Sequence, residues 1–257
     1  MVLALFCSLF SSPALAGDVT LKAEDGTRIH AVYTEAREPV SGVVLVHMVS
    51  RSASDYRFLA DKLQAQGISA VAVDLRKHGD NVDEGEEVVI EDIEWSYMKQ
   101  DVAAGVAYLR AQGVDDIAIV GASIGANLAL NVAAEDEGIT NVVLLSPGME
   151  YKGVELAQAL GEYGERPLLC VVSQDDRYSA KTGLFVEAQA RGYHKLEIYE
   201  TAGHGTRMLN KAPALEPLLV SWLLGSYRLS DTANDRSEGL TTGDTTKVET
   251  EGTRINE

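Results

Sequence analysis

The hydrophobic pattern changes period along the chain. Two alternating stretches, Asp18 to Lys22 and Arg28 to Thr34, flank Glu24-Asp25-Gly26-Thr27. Asp-Gly between alternating runs predicts a β-hairpin. A polar link from Glu35 to Ser41 leads to Gly42-Val-Val-Leu-Val-His47, apolar up to its last residue. Such a run fits a central parallel strand covered on both faces. Asp55 to Gln66 takes up helical spacing, with Asp55 as its N-cap and Gly67 as its stop. Ile68 to Leu75 is the next strand, and the charged, glycine-bearing Arg76 to Glu94 a surface loop. Trp95 to Gln112 places Trp95, Met98, Val102, Val106 and Leu109 on one helical face, and Gly113 ends it.

Beyond Gly113 the same alternation of element types continues. Ile117 to Val120 is a β-branched strand, followed at once by a helix from Ile124 to Ala134. Asn141 to Leu145 is a strand, Val154 to Tyr163 a short helix, and Pro167 to Ser173 a strand. Tyr178 to Ala190 is a helix, Lys195 to Tyr199 the last strand, and Met208 to Leu224 a final helix, interrupted or late-starting near Pro213 and Pro217. Strands alternating with helices predict an α/β domain with a mostly parallel sheet of eight strands, helices on both faces and an antiparallel N-terminal hairpin. The short stretch between Leu145 and Leu168 leaves no room for a cap domain.

Both ends depart from this pattern. Residues 1–16 carry no charge and close on Ala14-Leu15-Ala16 before Gly17-Asp18. That is the form of a secretory signal cleaved after Ala16, although no Lys or Arg precedes the apolar run. Export to a periplasmic or extracellular location follows, with the folded domain over residues 17–228. Residues 229–257 are rich in Thr, Asp, Glu, Gly and Asn, bury too little to fold, and read as a disordered acidic tail. Cys7 would leave with the signal, and Cys170 then stands alone in an apolar strand, so no internal disulfide is expected.

Composition narrows the partners. The chain has 257 residues, 46% of them hydrophobic, and a formal net charge of −17. That charge argues against nucleic acid and against anionic membranes, and the apolar N-terminal run is too short for stable membrane insertion. Composition says nothing about the reaction, and no metal or organic cofactor is called for.

The candidate chemistry lies at the turn Gly121-Ala-Ser123-Ile-Gly125. Gly-x-Ser-x-Gly between a strand and a helix is the context of a nucleophile elbow, a turn so tight that only small residues fit two positions either side of the serine. A serine hydroxyl needs a base to take its proton and a third group to hold that base. In an open α/β sheet such groups gather at strand carboxyl ends. Asp175 and Asp176 follow the strand ending at Ser173, and Gly203-His204-Gly205 follows the strand ending at Tyr199. The chain order serine, aspartate, histidine is that of an α/β-hydrolase triad. Alone, His204 would pass for a surface or capping histidine; three such groups at strand ends and in this order point to catalysis.

On Val44-Leu-Val-His47, Asp74-Leu-Arg-Lys-His-Gly-Asp80, the elbow and Gly203-His204-Gly205, the sequence resembles the α/β-hydrolase superfamily, in particular its small, lidless, dienelactone-hydrolase-like members. The resemblance spans roughly Gly17 to Tyr227. It implies an α/β-hydrolase fold and Ser123 as nucleophile, His204 as base and Asp176 as acid, with Asp175 the alternative. Asp176 is preferred because members place the acid three residues after a strand-ending glycine, the position Ser173 holds here. The resemblance also implies an oxyanion hole from the N–H of Ile124 with that of Val49 or, second, Met48. His47 and His78 are then structural or pocket-lining. Two positions depart from the family: Met48 replaces the glycine of its His-Gly, and Lys77 a glycine before His78. A zinc site from His47, His78 and His204 matches no metal-ligand spacing.

The activity implied is hydrolysis of a small-molecule acyl substrate, a carboxylic ester, through an acyl-serine, in a shallow pocket walled by the Arg76–Glu94 loop and suited to small or exposed acyl groups. A serine peptidase or an acyltransferase could use the same triad. A dehalogenase would require aspartate at position 123. A catalytically silent exported binding module is the reading from a different class, and Met48 is its best support.

Overall fold

The computed structural model describes residues 16–83, 85 and 87–225. The tail expected at 229–257 and all of the expected signal but Ala16 lie outside the described residues. The strands are β1 (Ala16–Lys22), β2 (Arg28–Thr34), β3 (Ser41–Val46), β4 (Ile68–Val73), β5 (Ile117–Ala122), β6 (Ile139–Leu145), the short pair β7 (Glu150–Tyr151) and β8 (Val154–Glu155), β9 (Leu168–Ser173) and β10 (His194–Tyr199). The helices are α1 (Arg57–Gln64), α2 (Asp92–Ala111), α3 (Ile124–Glu135), α4 (Ala157–Tyr163), α5 (Arg177–Gln189), α6 (Arg207–Lys211) and α7 (Leu215–Leu223).

Eight strands form one sheet in the order β1-β2-β4-β3-β5-β6-β9-β10, and β7 pairs only with β8. β1 is antiparallel to β2 and β2 to β4, while every other pair in the sheet is parallel. The hairpin therefore closes one edge, as its Asp-Gly turn predicts. Every residue of β4, β5 and β9 is buried, so side chains pointing to both faces are covered. α1 packs with α7, and α2, α3, α4 and α5 form a continuous series of neighbours; the helices cover both faces of the sheet. Among the described residues no helix is long and apolar enough to cross a membrane.

This topology determines where a site can form. After β3 the chain places β4 on one side, then returns to place β5 on the other. The loops leaving β3 and β5 thus diverge at a topological switch point, where α/β sheets open a crevice.

Three local expectations are corrected. Asp55 does not cap a helix: it lies in a 3₁₀ turn (Ala53–Tyr56), and α1 starts at Arg57. Its carboxylate is taken by Arg51 and Thr206. The Arg76–Glu94 stretch is not wholly a surface loop, since Arg76 and His78 are buried and α2 already begins at Asp92. Glu94 accepts the Glu91 N–H at 2.8 Å and so satisfies a donor at that helix start. Residues 154–163 are not one helix. Lys152 and Gly153 both take positive φ and turn the chain into the β7–β8 hairpin, leaving only Ala157–Tyr163 helical. The final helix is interrupted near Pro213, as expected, because Ala212 is extended ahead of that proline, as its ring demands.

Candidate active site

Ser123 is the apex between β5 and α3, with φ 56° and ψ −121°. This is backbone that side-chain-bearing residues rarely adopt. The tightness of the turn accounts for its glycines. A Cβ on Gly121 would lie 2.1 Å from the Gly125 carbonyl oxygen, and one on Gly125 would lie 2.5 Å from the His47 carbonyl oxygen. The Ser123 N–H is held by Leu145 O at 2.8 Å, which ties the elbow to the neighbouring strand β6.

His204 stands in the loop after β10, and three backbone donors hold that loop. Ala202 N–H donates to Ser173 Oγ at 2.8 Å, Gly203 N–H to Asp175 Oδ1 at 3.0 Å, and Gly205 N–H to Ser146 Oγ at 2.9 Å. So placed, His204 Nδ1 lies 2.6 Å from Asp176 Oδ2 and Nε2 lies 2.8 Å from Ser123 Oγ. An ionised carboxylate only accepts, so Nδ1 carries the proton and Nε2 offers its lone pair to the serine hydroxyl.

The two neighbouring aspartates divide between roles. Asp176 N-caps α5, its Oδ1 accepting the Ser179 N–H at 3.4 Å, and points Oδ2 at the imidazole. Asp175 faces the other way, accepting the Ser173 hydroxyl at 2.5 Å along with the Gly203 N–H. The Ser173 hydrogen bond holds its carboxyl below the usual range. Asp175 thus braces the histidine loop, and Asp176 is the partner of His204.

The segment after β3 answers the question raised by Met48. His47 is fully buried; its Nδ1 lies 2.8 Å from Met48 O and its Nε2 accepts the Leu75 N–H at 3.0 Å. Burial pushes the imidazole pKa down to about 4, so it stays neutral with the proton on Nδ1. Because C=O and N–H point in opposite directions across a trans peptide, anchoring the Met48 carbonyl fixes the direction of the Val49 N–H. Met48 itself does not take the left-handed backbone that would demand glycine; Ser50 does, with φ 58°. The Met48 side chain packs on Gly205, with Sδ 2.5 Å from where a Cβ would stand there. Ile124 N–H, at the first position of α3, lies outside the helix's own hydrogen-bond ladder.

A cavity of about 670 Å³ opens beside Val49, lined by Arg51, Asp55, Lys77, His78, Val88, Trp95 and Lys152 among others. Lys77, His78, Gly79, Val82, Val88 and Ile90 line one side of it, and none of Ser123, Asp176 and His204 is among its lining residues. His78 lines the cavity and burial lowers its pKa. His47 does not line it; as a pocket residue it is corrected, since both its nitrogens are spent on backbone groups below the site. Commitment of both nitrogens also removes His47 from any three-histidine metal set.

Several residues here carried no advance signal. Tyr151, on β7, sets its ring edge-on to His204 with centroids 6.2 Å apart. Burial raises its phenol pKa, with hydrogen bonds to Ser179 and Ser123 opposing. Lys152 places its ammonium 5.5 Å over the Trp95 ring. The Asp74–Asp80 motif is architectural: buried Asp74 accepts from Ala53 N–H, Asp80 N–H and His30 Nδ1 at 2.6, 3.0 and 2.8 Å. Ser146 and Ser173 were legible only as strand ends, and their hydroxyls prove to be the supports of the histidine loop.

The sheet order, the elbow at the switch point and the serine–histidine–aspartate series define an α/β-hydrolase fold. Residues 37–163, just under half of the chain, match the family model Hydrolase_4, described as serine aminopeptidase, S33. Solved structures agree on the fold. A dienelactone hydrolase of Anabaena variabilis is similar at 17% identity over 83% of this chain and 98% of that one, with a TM-score of 0.66. An esterase of Pyrococcus furiosus is similar at 17% identity over 82% and 90%, with a TM-score of 0.65. A predicted CIB-like hydrolase of Thermoplasma acidophilum is similar at 17% identity over 82% and 98%, with a TM-score of 0.64. No curated protein matches the chain.

Proposed function

We propose that the protein hydrolyses carboxylic esters of small or exposed acyl groups through an acyl-serine intermediate. The observation that carries this reading is the continuous hydrogen-bonded series from Asp176 Oδ2 through His204 to Ser123 Oγ, at 2.6 and 2.8 Å. His204 Nε2 takes the Ser123 proton as Oγ attacks the acyl carbonyl. Asp176 holds the tautomer and stabilises the imidazolium that results. The N–H groups of Ile124 and Val49 receive the oxyanion, each such donor typically contributing about 3–4 kcal/mol. The imidazolium then protonates the leaving alkoxide. A water, deprotonated by the same nitrogen, attacks the acyl-serine, and the acid departs as the Ser123 hydroxyl is restored.

The family description raises the aminopeptidase alternative, and the cavity speaks against it. An aminopeptidase must receive a substrate ammonium. Among the described residues, Arg51, Lys77 and Lys152 line this cavity, and the one acidic lining residue, Asp55, is already bonded to Arg51. A silent binding module would have no chemical need for the whole hydrogen-bonded series. We propose in addition that residues 1–16 direct export and that 17–228 is the working domain; N-terminal sequencing of protein recovered from cell fractions tests this. The activity is tested by fluorophosphonate labelling with mass-spectrometric mapping. Modification at Ser123, lost in Ser123→Ala and in His204→Ala, is expected together with turnover of short-chain esters; absence of both from the folded protein overturns the reading.

A further inference from the structure

The groups that the proposed reaction needs come from strands far apart in the sheet. Val49 follows β3 and His204 follows β10, and β5, β6 and β9 lie between them. At a strand spacing of about 4.8 Å the two strands are roughly 19 Å apart. Catalysis nevertheless requires the Val49 N–H and His204 Nε2 to address one substrate carbon and its oxygen within a few tenths of an ångström. The sheet alone is an indirect way to hold two loops in that register.

The two loops touch directly, at two points. The Thr206 hydroxyl donates to Asp55 Oδ2, and Met48 packs on Gly205. Asp55 is in turn bonded by Arg51 Nε at 2.8 Å, within its own loop. The Asp55 side chain is 8% exposed and Thr206 2% exposed, so little water reaches the contact. Burial works to raise the Asp55 pKa, but the hydrogen bonds from Arg51 and Thr206 prevail and leave it lowered, which keeps the acceptor ionised. Neither the Asp55 nor the Thr206 side chain hydrogen-bonds Ser123 or His204.

We propose that Asp55 and Thr206 are positioning residues: their buried hydrogen bond clamps the oxyanion-donor loop to the histidine loop across the carboxyl end of the sheet and sets the distance between the oxyanion donor and the base. The inference rests on the ester-hydrolase reading above. It also gives Met48 a purpose, since that side chain is the apolar half of the same clamp.

The test is steady-state kinetics on a short-chain nitrophenyl ester with wild type, Thr206→Val and Thr206→Ser. Valine keeps the shape and removes the donor, and Asp55 retains Arg51, so the fold is spared. With the clamp open, the oxyanion donor is misplaced only when the oxyanion exists. Thr206→Val should therefore lower kcat about tenfold with KM within about twofold, slow fluorophosphonate labelling in parallel, and leave the pH of half-maximal kcat/KM unmoved. Thr206→Ser should recover most of the loss. A change in melting temperature with kcat and labelling intact would overturn the proposal and leave the ester-hydrolase reading standing, as would a rise in KM alone. Wild-type protein that neither turns over esters nor labels would overturn both.

Discussion

His47 Nδ1 and the carbonyl oxygen of the very next residue, Met48, are 2.8 Å apart, and the other ring nitrogen accepts the Leu75 N–H at 3.0 Å. The ring sits beneath the site as a fixed neutral strut between two strand ends, and it directs the peptide whose N–H is the proposed oxyanion donor.

That role makes stability depend on pH. The His47 pKa falls from an ordinary 6.5 to about 4 on folding, chiefly through burial. A depressed histidine gives a contribution that is complete above pH 6.5 and is lost as pH falls from 6.5 toward 4, because the unfolded chain binds the proton that the native state refuses. The loss amounts to about 3 kcal/mol. Urea unfolding between pH 7.5 and 4 should show wild type weakening steeply over that window. His47→Gln should start less stable and decline less. Parallel curves for the two proteins would rule out a neutral buried imidazole.

Asp175 and Asp176 are adjacent but unequal. Asp176→Asn should favour the tautomer with the proton on Nε2 and lower kcat about 10³–10⁴-fold while binding is largely kept. Asp175→Asn leaves the His204–Asp176 bond intact and loosens only the Gly203 end of the loop, so a loss of about tenfold or less is expected. Comparable losses in the two variants, measured as kcat on one ester, would refute the assignment.

The elbow stores strain at the nucleophile. Ser123 holds φ 56° and ψ −121°, a conformation that costs a residue with a Cβ about 1–3 kcal/mol. Ser123→Ala and Ser123→Gly both abolish the chemistry and both lose the bond to His204, but only glycine relieves the strain. Set against glycine's extra unfolded-state entropy of about 0.5–1 kcal/mol, Ser123→Gly should be more stable than Ser123→Ala by about 1 kcal/mol. Calorimetry should resolve that as a Tm difference of about 2–4 °C. A melting temperature for Ser123→Gly below that of Ser123→Ala would mean that the turn is unstrained.

The elements legible in the chain were those in which local pattern and tertiary demand agree. The β3 and β5 runs are apolar because both their faces are covered, and the Asp25-Gly26 turn has a local cause. Ser123 and His204 could be found because chemistry restricts them to strand ends. The failures share a different origin. Asp55 looks like a cap, yet its carboxylate bonds Thr206, far along the chain. The segment at 154–163 reads as one helix because no apolar pattern reports the positive φ of Lys152 and Gly153. Tyr151 and Lys152 reach the site only because that hairpin folds back over it. Met48 looked like damage to an oxyanion loop, and only the fold shows that its side chain packs on Gly205.

Arg76 at the root of the cavity wall gives the last expectation. Its guanidinium forks onto Asp101 of α2, with Nε and Nη2 at 3.0 and 2.6 Å from Oδ1, and reaches Asp25 of the hairpin turn at 2.7 Å through Nη1. Asp101 is fully buried, and burial raises its pKa despite Arg76. Removing one partner from such a pair leaves a buried charge exposed to no solvent, which costs about 3–5 kcal/mol, whereas replacing both with apolar side chains restores much of the loss. Asp101→Leu should thus be strongly destabilised in chemical denaturation, and Arg76→Met with Asp101→Leu should recover a good part. The kinetic consequence differs from that of the triad. Lys77 and His78, which follow Arg76 directly, line the cavity, while Ser123, His204 and Asp176 rest on other strands. A wall loosened at Arg76 should therefore raise KM severalfold and leave kcat and fluorophosphonate labelling at Ser123 near wild type. A collapse of kcat with KM unchanged would show instead that the wall holds the chemistry.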